Sequence, residues 1–188
     1  MKICRQAVLL LFLIFGEQAV AGSARKNPIE IMKEMKKKGQ TGVAHKTKIV
    51  DVRPAKIGEI ITTIVGGKVE TTNTAQPGDF VVRNRCPATG NEEIIVRKAV
   101  FHERYSGPLK EPSLPGMQAY KPIGNPMNYF VVPPAIGNFE FTAPWGSPMT
   151  AEVGDMIVQA QGKEGDTYRI AKKSFECTYN IVSPVRAA

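Results

Sequence analysis

Apolar and polar residues alternate along much of the first half of the chain, which is the period of a half-buried β-strand. Two such runs, Ile60–Val65 and Lys68–Thr72, flank Gly66-Gly67, and a pair of glycines between alternating runs is typical of a tight β-hairpin. Two more strands are predicted at Phe80–Arg83 and Glu93–Lys98. The pattern therefore predicts a mainly β protein.

The chain also contains an internal repeat. The sequence Thr-Ala-Gln-Pro-Gly-Asp-Phe-Val-Val at residues 74–82 returns seventy-six positions later as Thr-Ala-Glu-Val-Gly-Asp-Met-Ile-Val at residues 150–158. In both copies a polar loop with glycine follows, then a mixed apolar and basic run, and finally a Phe-x-x-x-Tyr pair. The closing pairs, which we interpret as core residues rather than a base-stacking platform, are Phe101/Tyr105 and Phe175/Tyr179. A self-match at a fixed offset predicts a tandem duplication of one small β unit.

The Gly-Asp dipeptide of each copy has two interpretations. Gly78 and Gly154 fit the turn position that requires a positive φ, and Asp79 and Asp155 would then close the turn with their side chains. Alternatively, the two aspartates form a carboxylate pair for acid–base hydrolysis. His102, beside a glutamate, is a further candidate base, but no serine stands in a nucleophile-elbow sequence. We favour the turn interpretation and predict no cofactor.

The N-terminal arm has a helical period. Asn27 fits an N-cap, Pro28 the first helical position and Glu30 the third, and a run of lysines before Gly39 marks the end. One face of this short amphipathic helix is apolar and consists of Ile29, Ile31, Met32 and Met35. An isolated helix of this length is marginal in water. We expect the apolar face to dock on the β body or, alternatively, on an anionic membrane surface or polymer.

Proline divides the remainder of the chain, because nine of the 14 prolines lie between Pro108 and Pro148. The predicted fold is two duplicated small β-barrel or roll units with the short amphipathic helix in front of them. The predicted units occupy residues 43–107 and 129–182 and are joined by a Pro-rich linker at 108–128. The basic arm and helix occupy residues 22–42, and residues 183–188 form a tail.

The segment Ala143–Tyr179 resembles the small bacterial and phage modules called PGDYG domains. It contains Ala-Pro-Trp-Gly-Ser-Pro-Met, then Gly-Asp-Met-Ile-Val and then Tyr-Arg-Ile-Ala-Lys-Lys-Ser-Phe-Glu-Cys-Thr-Tyr, and the Pro-Gly-Asp-Phe at residues 77–80 is similar. The tyrosine of the motif is Phe80 in one copy and Met156 in the other, and its proline is Val153 in the second. The resemblance implies a compact β module and carries over no catalytic residue.

The first 21 residues read as a cleavable secretion signal. Lys2 and Arg5 precede an apolar run at Ala7–Gly16, and Ala19-Val20-Ala21 is a small-residue cleavage sequence. Ten apolar residues are too few to cross a bilayer, which takes about 20. We therefore expect cleavage after Ala21 and a periplasmic or secreted protein.

The mature chain keeps two cysteines, Cys86 and Cys177. In an oxidising compartment an isolated pair favours a disulfide, and the alternative is two separately buried thiols. Their spacing to the two histidines matches no metal motif, so no metal site is predicted.

Positive charge is concentrated near the N-terminus. The segment Arg25–Lys56 holds ten basic and three acidic residues, and the chain from Ile57 onward is neutral. This asymmetry indicates an anionic or protein partner, with a membrane surface as an alternative; export argues against nucleic acid. The candidate binding residues are Lys33, Lys36, Lys37 and Lys38 of the arm and the aromatic Tyr129 and Trp145. We therefore expect an exported, non-enzymatic binding module, and the alternative is an envelope hydrolase that uses Asp79, Asp155 or His102.

Overall fold

The computed structural model describes residues 24–185, so the predicted signal at residues 1–21 lies outside the described residues. The protein is mainly β, as the alternation predicts. Its α-helices are α1 (Pro28–Lys37), α2 (Lys98–Arg104) and α3 (Lys172–Thr178). Its strands are β1 (Ala24–Arg25), β2 (Gly42–Lys46), β3 (Val50–Pro54), β4 (Ile60–Val65), β5 (Lys68–Thr74), β6 (Phe80–Asn84), β7 (Glu93–Val96), β8 (Tyr105–Ser106), β9 (Gln118–Pro122), β10 (Met127–Val131), β11 (Phe139–Thr142), β12 (Pro148–Ala151), β13 (Met156–Ala160), β14 (Thr167–Ile170) and β15 (Tyr179–Ser183).

Two five-stranded antiparallel sheets form the body of the protein. The first has the strand order β7-β6-β3-β9-β8 and the second has the order β14-β13-β10-β2-β15. In the part of the chain that the structure describes, neither sheet closes on itself, so the expected barrel is not observed there. Each sheet has one edge strand, β7 or β14, that leads into a helix, α2 or α3.

The strands of the two sheets pair in corresponding registers. Val50 of β3 lies opposite Asn84 of β6, and Met127 of β10 lies opposite Ala160 of β13. On their other sides, β3 pairs with β9 and β10 pairs with β2. The Gly-Asp turn comes directly before β6 in the first sheet and directly before β13 in the second.

The chain crosses between the sheets at two points that the repeat does not predict. Strand β2 precedes β3 in sequence but lies in the second sheet, between β10 and β15. Strand β9 precedes β10 but lies in the first sheet, between β3 and β8. The second sheet therefore contains β2 from before residue 107, and the first sheet contains β9 from after it. A boundary at residue 107 does not separate the two sheets.

Strand β9 falls inside residues 108–128, which the sequence predicts to be a linker. The linker prediction is wrong here, because the prolines on either side interrupt the alternation that would have indicated a strand. In the structure Ala119 is 1% exposed and pairs with Asp51 of β3. Pro122 ends the strand at a place where a backbone donor is not needed for the central ladder. The remaining loop, between β8 and β9, is correspondingly shorter than the predicted linker.

Helix α1 begins and ends as predicted. The Asn27 side chain accepts a hydrogen bond of 3.0 Å from the backbone N–H of Ile29, and Gly39 follows the helix with a φ of +67°. Met32 and Met35 are buried in a core cluster that also contains Phe130. The apolar face is therefore docked on the protein's own β body, which is the first of the two alternatives.

The hairpin of β4 and β5 is also confirmed. Its connection consists of Gly66 and Gly67, whose φ values of +58° and +84° both lie in the left-handed region. Two successive positive φ values are the geometry of a type I′ turn, which fits the twist of the flanking strands.

Candidate ligand-binding cavity

A cavity of about 250 Å³ is lined by residues of both five-stranded sheets and of the β4–β5 hairpin. Part of its wall is apolar and consists of Ile94, Val96, Val100, Met127, Met149 and Ile170. The volume is far above the roughly 10–15 Å³ that one water requires and slightly below the roughly 300 Å³ at which typical small-molecule pockets begin. The cavity therefore has the size for one small ligand.

Lys46 of β2 lines the cavity and bonds to residues of the first sheet. Its ammonium donates to Asn84 Oδ1 at 2.8 Å and to the Tyr105 hydroxyl at 3.4 Å, and it lies 5.7 Å from the Tyr105 ring centroid. Both acceptors are neutral. Because β2 belongs to the second sheet, this contact depends on the strand crossing described above.

Two more tyrosines line the cavity beside an arginine. The Arg104 guanidinium lies 3.4 Å from the Tyr168 hydroxyl and is ion-paired with Asp166. Burial raises the pKa of both the Tyr168 and the Tyr179 phenol, that of Tyr179 well above its ordinary value. Both hydroxyls therefore stay protonated at neutral pH and remain able to donate hydrogen bonds.

A buried carboxylate, Glu92, connects the two halves of the molecule. Glu92 is 5% exposed, and its oxygens accept hydrogen bonds from Asn84 Nδ2 at 2.9 Å and from the hydroxyls of Thr89 and Ser174. Asn84 therefore donates to Glu92 with its nitrogen and accepts from Lys46 with its oxygen. This arrangement fixes the orientation of the Asn84 amide.

Arg169 holds a second group of buried charges. Its guanidinium contacts Glu70 of the hairpin and donates to Asp155 Oδ2 at 2.8 Å. Burial raises the pKa of Glu70, and the charge of Arg169 opposes that shift. This group fastens the β4–β5 hairpin to the second sheet along one side of the cavity.

Trp145, a predicted binding residue, does line the cavity. It is 39% exposed, lies in the turn between β11 and β12, and packs edge-on against Tyr168 with ring centroids 5.6 Å apart. Tyr129, the other predicted aromatic, is 3% exposed and packs against Phe175 in the core, so its ring does not form a binding surface. The structure therefore does not bring these two residues together at one site.

Asp79 and Asp155 occupy matching structural positions. The Asp79 carboxylate accepts from the Gln76 amide at 2.8 Å, which closes the turn, and from the Lys98 amide at 3.3 Å, at the start of α2. The Asp155 carboxylate accepts from the Glu152 amide at 2.9 Å and from the Lys172 amide at 3.2 Å, at the start of α3. Gly78 and Gly154 supply the positive φ values, +84° and +93°.

His102 lies on the exposed side of α2 and outside the cavity lining. Its ring packs edge-on against Phe80 and Phe101, with centroids 5.7 Å and 5.6 Å away. Among residues 24–185, the His102 side chain forms no hydrogen bond with a serine or with either turn aspartate. The three hydrolase candidates therefore do not share a hydrogen-bond network.

The arm lysines have different surroundings. Lys33 forms ion pairs with Glu30 and Glu164, and Lys36 donates to Gln159 Oε1 at 2.6 Å. Lys37 and Lys38 are exposed and have no carboxylate within 4.0 Å among residues 24–185.

The predicted disulfide between Cys86 and Cys177 is confirmed, with Cα atoms 5.9 Å apart. Cys86 precedes a single 3₁₀ turn at Pro87–Thr89, and Cys177 lies in α3. The bond therefore connects the loop of the first copy to the helix of the second.

No family model, curated protein or solved structure matches the chain. Within residues 24–185, none of the helices combines the length and the apolar character that crossing a bilayer requires. The same residues contain no group of three or more His, Cys, Asp or Glu side chains that is placed to hold a metal ion.

Sequence reasoning missed Lys46, Tyr168 and Tyr179 as site residues. Lys46 stands 38 positions from Asn84 and 59 from Tyr105, so its partners are visible only once β2 is placed in the second sheet. The sequence did contain a signal for Tyr179, because Tyr105 and Tyr179 close the two copies of the repeat. We interpreted this pair as core alone, whereas both tyrosines also line the cavity.

Proposed function

We propose that this protein is a non-enzymatic binding module that takes one small ligand into the cavity between its two sheets. The observation that carries the proposal is the cavity itself, in which an apolar wall faces hydrogen-bonding groups contributed by both halves of the chain. A concave, mostly apolar site with a few convergent polar groups is the usual form of a small-molecule site. The half-exposed Trp145 at its edge offers a large aromatic surface at little entropic cost.

The alternative proposal, an envelope hydrolase, has weaker support. Asp79 and Asp155 are each bonded to a turn amide and a helix amide, so neither carboxylate is free to act as a base. His102 is exposed and is not hydrogen-bonded to either. The geometry favours a structural role for the aspartates, and within residues 24–185 it does not join any two of the three candidates as an acid and base.

Export is part of the proposal. It is supported by the charged and apolar pattern of residues 1–21, and a disulfide is the expected state of a cysteine pair in an oxidising compartment. We also infer that the two halves are copies of one β unit, which the sequence repeat and the corresponding registers of the sheets support.

An anionic surface or protein partner remains a second proposal for the arm, because Lys37 and Lys38 are exposed and form no ion pair with any of residues 24–185. Replacing Lys33, Lys36, Lys37 and Lys38 with Gln is expected to weaken binding to anionic vesicles and to flatten its salt dependence, since exposed charges are screened over about 8 Å at physiological salt. Unchanged affinity for such vesicles would leave the arm a structural element.

The cavity proposal is tested with the indole N–H of Trp145, the one tryptophan in the sequence, as an NMR reporter. Phenol, a neutral one-ring probe, is expected to shift this resonance in a saturable manner. Ala160→Met extends a side chain from a cavity-lining position and is expected to weaken the binding, whereas Val153→Met, at a position that is 44% exposed, is a matched control. Equal binding by both variants with intact folds would contradict the proposal.

A further inference from the structure

Resting on that proposed function, we propose that the cavity selects a small ligand with one carboxylate on an apolar or aromatic body, and that Lys46 is the group that binds the carboxylate. The inference begins with the charges around the cavity. Three of the four lining cations already have a carboxylate: Arg97 has Asp79, Arg104 has Asp166, and Arg169 has Asp155 and Glu70. Lys46 has no carboxylate within 4.0 Å in residues 24–185.

The ammonium of Lys46 retains capacity for a further partner. An ammonium has three N–H donors, and Asn84 and Tyr105 accept two of them. Asn84 is held from behind by its bond to Glu92, so the lysine is positioned before a ligand arrives. A partly buried cation that is already positioned binds an anion more strongly than a mobile surface lysine does, because water screens it less and less side-chain freedom is lost on binding.

The carboxylates that line the cavity are already bonded, so they do not make it a site for a cationic ligand. Glu70, Glu103 and Asp166 are ion-paired with Arg169, Lys163 and Arg104. Glu92 has no cation within 4.0 Å among residues 24–185, but it is 5% exposed and three donors from Asn84, Thr89 and Ser174 already bond to its two oxygens. Of the two lining charges without an opposite charge beside them, the half-buried Lys46 is therefore the more accessible to a ligand.

The surroundings of Lys46 also fit a carboxylate. The Tyr105 hydroxyl beside it, once it accepts from the ammonium, can donate its own proton to a ligand oxygen. The Tyr168 and Tyr179 hydroxyls add further donors to the same lining. A carboxylate accepts several such bonds at once, whereas a neutral amide satisfies fewer of them.

The remaining wall determines the body of the ligand. Trp145 and Tyr168 pack edge-on against each other, and aliphatic side chains of β7 and β14 complete the lining. A volume of about 250 Å³ fits a one-ring molecule better than a larger one. Benzoate has this combination of a single ring and a single carboxylate, and benzamide has nearly the same shape without the charge.

The test compares benzoate with benzamide by calorimetry at constant ionic strength, with the Trp145 indole resonance reporting whether each probe enters the cavity. The wild-type protein is expected to bind benzoate at least about tenfold more tightly, which corresponds to about 1.4 kcal/mol. Lys46→Met should remove this preference, Lys46→Arg should retain part of it, and Lys48→Met, at an exposed position two residues further on, should leave it unchanged.

Equal affinity of the wild type for the two probes, with Trp145 shifted by both, would overturn the carboxylate inference and leave the cavity function standing. A preference for benzoate that persists in folded Lys46→Met would also overturn it. If neither probe shifted Trp145, the proposed function and the inference would fall together. The wild-type comparison decides the matter even if Lys46→Met fails to fold.

Discussion

At the scale of single residues, two aspartates show how one side chain can join a turn to a helix. Asp79 and Asp155 each accept one hydrogen bond from the turn before a strand and one from the first helical amide after the next strand. Each also contacts an arginine, Arg97 or Arg169, and both are at least 94% buried. A buried carboxylate with this many donors is a structural element in its own right.

We expect Asp79→Asn and Asp155→Asn each to lower the free energy of unfolding by about 1–3 kcal/mol, because an amide leaves donors unpaired and an arginine without its counter-charge. Urea unfolding followed by circular dichroism measures the effect. Glu176→Gln, on the exposed side of α3, is the control and should change stability little. Asparagine variants as stable as the wild type would show that the bonds contribute nothing.

Glu59 gives a pH-dependent prediction. Hydrogen bonds from Arg53 hold the pKa of Glu59 at about 2, below the value of about 4.3 for an unfolded glutamate. Because the folded pKa is the lower one, the stabilisation is complete above about pH 4.3 and is lost as the pH falls towards 2.

We therefore expect the stability difference between the wild type and Glu59→Gln to shrink as the pH is lowered from 5 to about 2. Since the ion pair is partly open to solvent, its size at pH 5 should be on the order of 1 kcal/mol. Chemical unfolding of both proteins at several pH values measures the difference. A difference that does not vary with pH would contradict the assigned role of the ion pair.

Local chemistry of this kind could be predicted from the sequence, and so could Trp145 of the cavity, but the charged cavity residues could not. The turn aspartates bond to residues three positions away, so the Gly-Asp sequence alone is informative. The bonds from Lys46 to Asn84, from Ser174 to Glu92 and from Arg169 to Glu70 span 38, 82 and 99 positions, and each depends on how the strands pair. No local pattern contains that information.

At the scale of elements, the disulfide is the covalent connection between the two halves. Cys86 is fully buried, and the 3₁₀ turn that follows it packs against α3, where Cys177 lies. The bond encloses 91 positions of sequence, a long loop whose closure restricts the unfolded chain.

Replacing both cysteines with serine is expected to lower the free energy of unfolding by up to about 4.6 kcal/mol, the value that the chain-entropy model gives for a loop of this length. Thermal and urea unfolding of the oxidised wild type, the reduced wild type and the double variant measure the loss. The reduced wild type and the variant should behave alike. A double variant with the stability of the oxidised wild type would contradict the stabilising role.

The elements illustrate the same limit of sequence reasoning. Helix α1 and the β4–β5 hairpin have local signals, a capping asparagine and a pair of glycines, and both form as predicted. Strand β9 has no such signal because prolines interrupt its alternation on both sides. The segment that contains β9 was therefore predicted to be a linker, although Ala119 is buried in the sheet.

At the scale of the whole molecule, the reciprocal placement of β2 and β9 makes the two sheets dependent on each other. The segment before residue 115 contains β2, which completes the second sheet, and the segment after it contains β9, which completes the first. A chain cut in this region gives two pieces, each of which lacks an interior strand.

We expect the fragments 24–114 and 115–185 to be unfolded when separate and to fold together when mixed under oxidising conditions. The amide dispersion of NMR spectra of each fragment and of the mixture measures this. A full chain with a single cleaved bond at residue 114 is the control and should remain folded. A folded monomer formed by either fragment alone would contradict the strand exchange.

Whether the space between the two sheets is a ligand site can be tested by a crystal structure of the wild-type protein grown with benzoate. Benzoate is expected between the sheets, with its carboxylate within about 3 Å of Lys46 Nζ, the distance of a charge-assisted hydrogen bond, and its ring beside Trp145. Benzoate bound only on the exposed lysines of α1, with the cavity empty, would show that the cavity is not a ligand site.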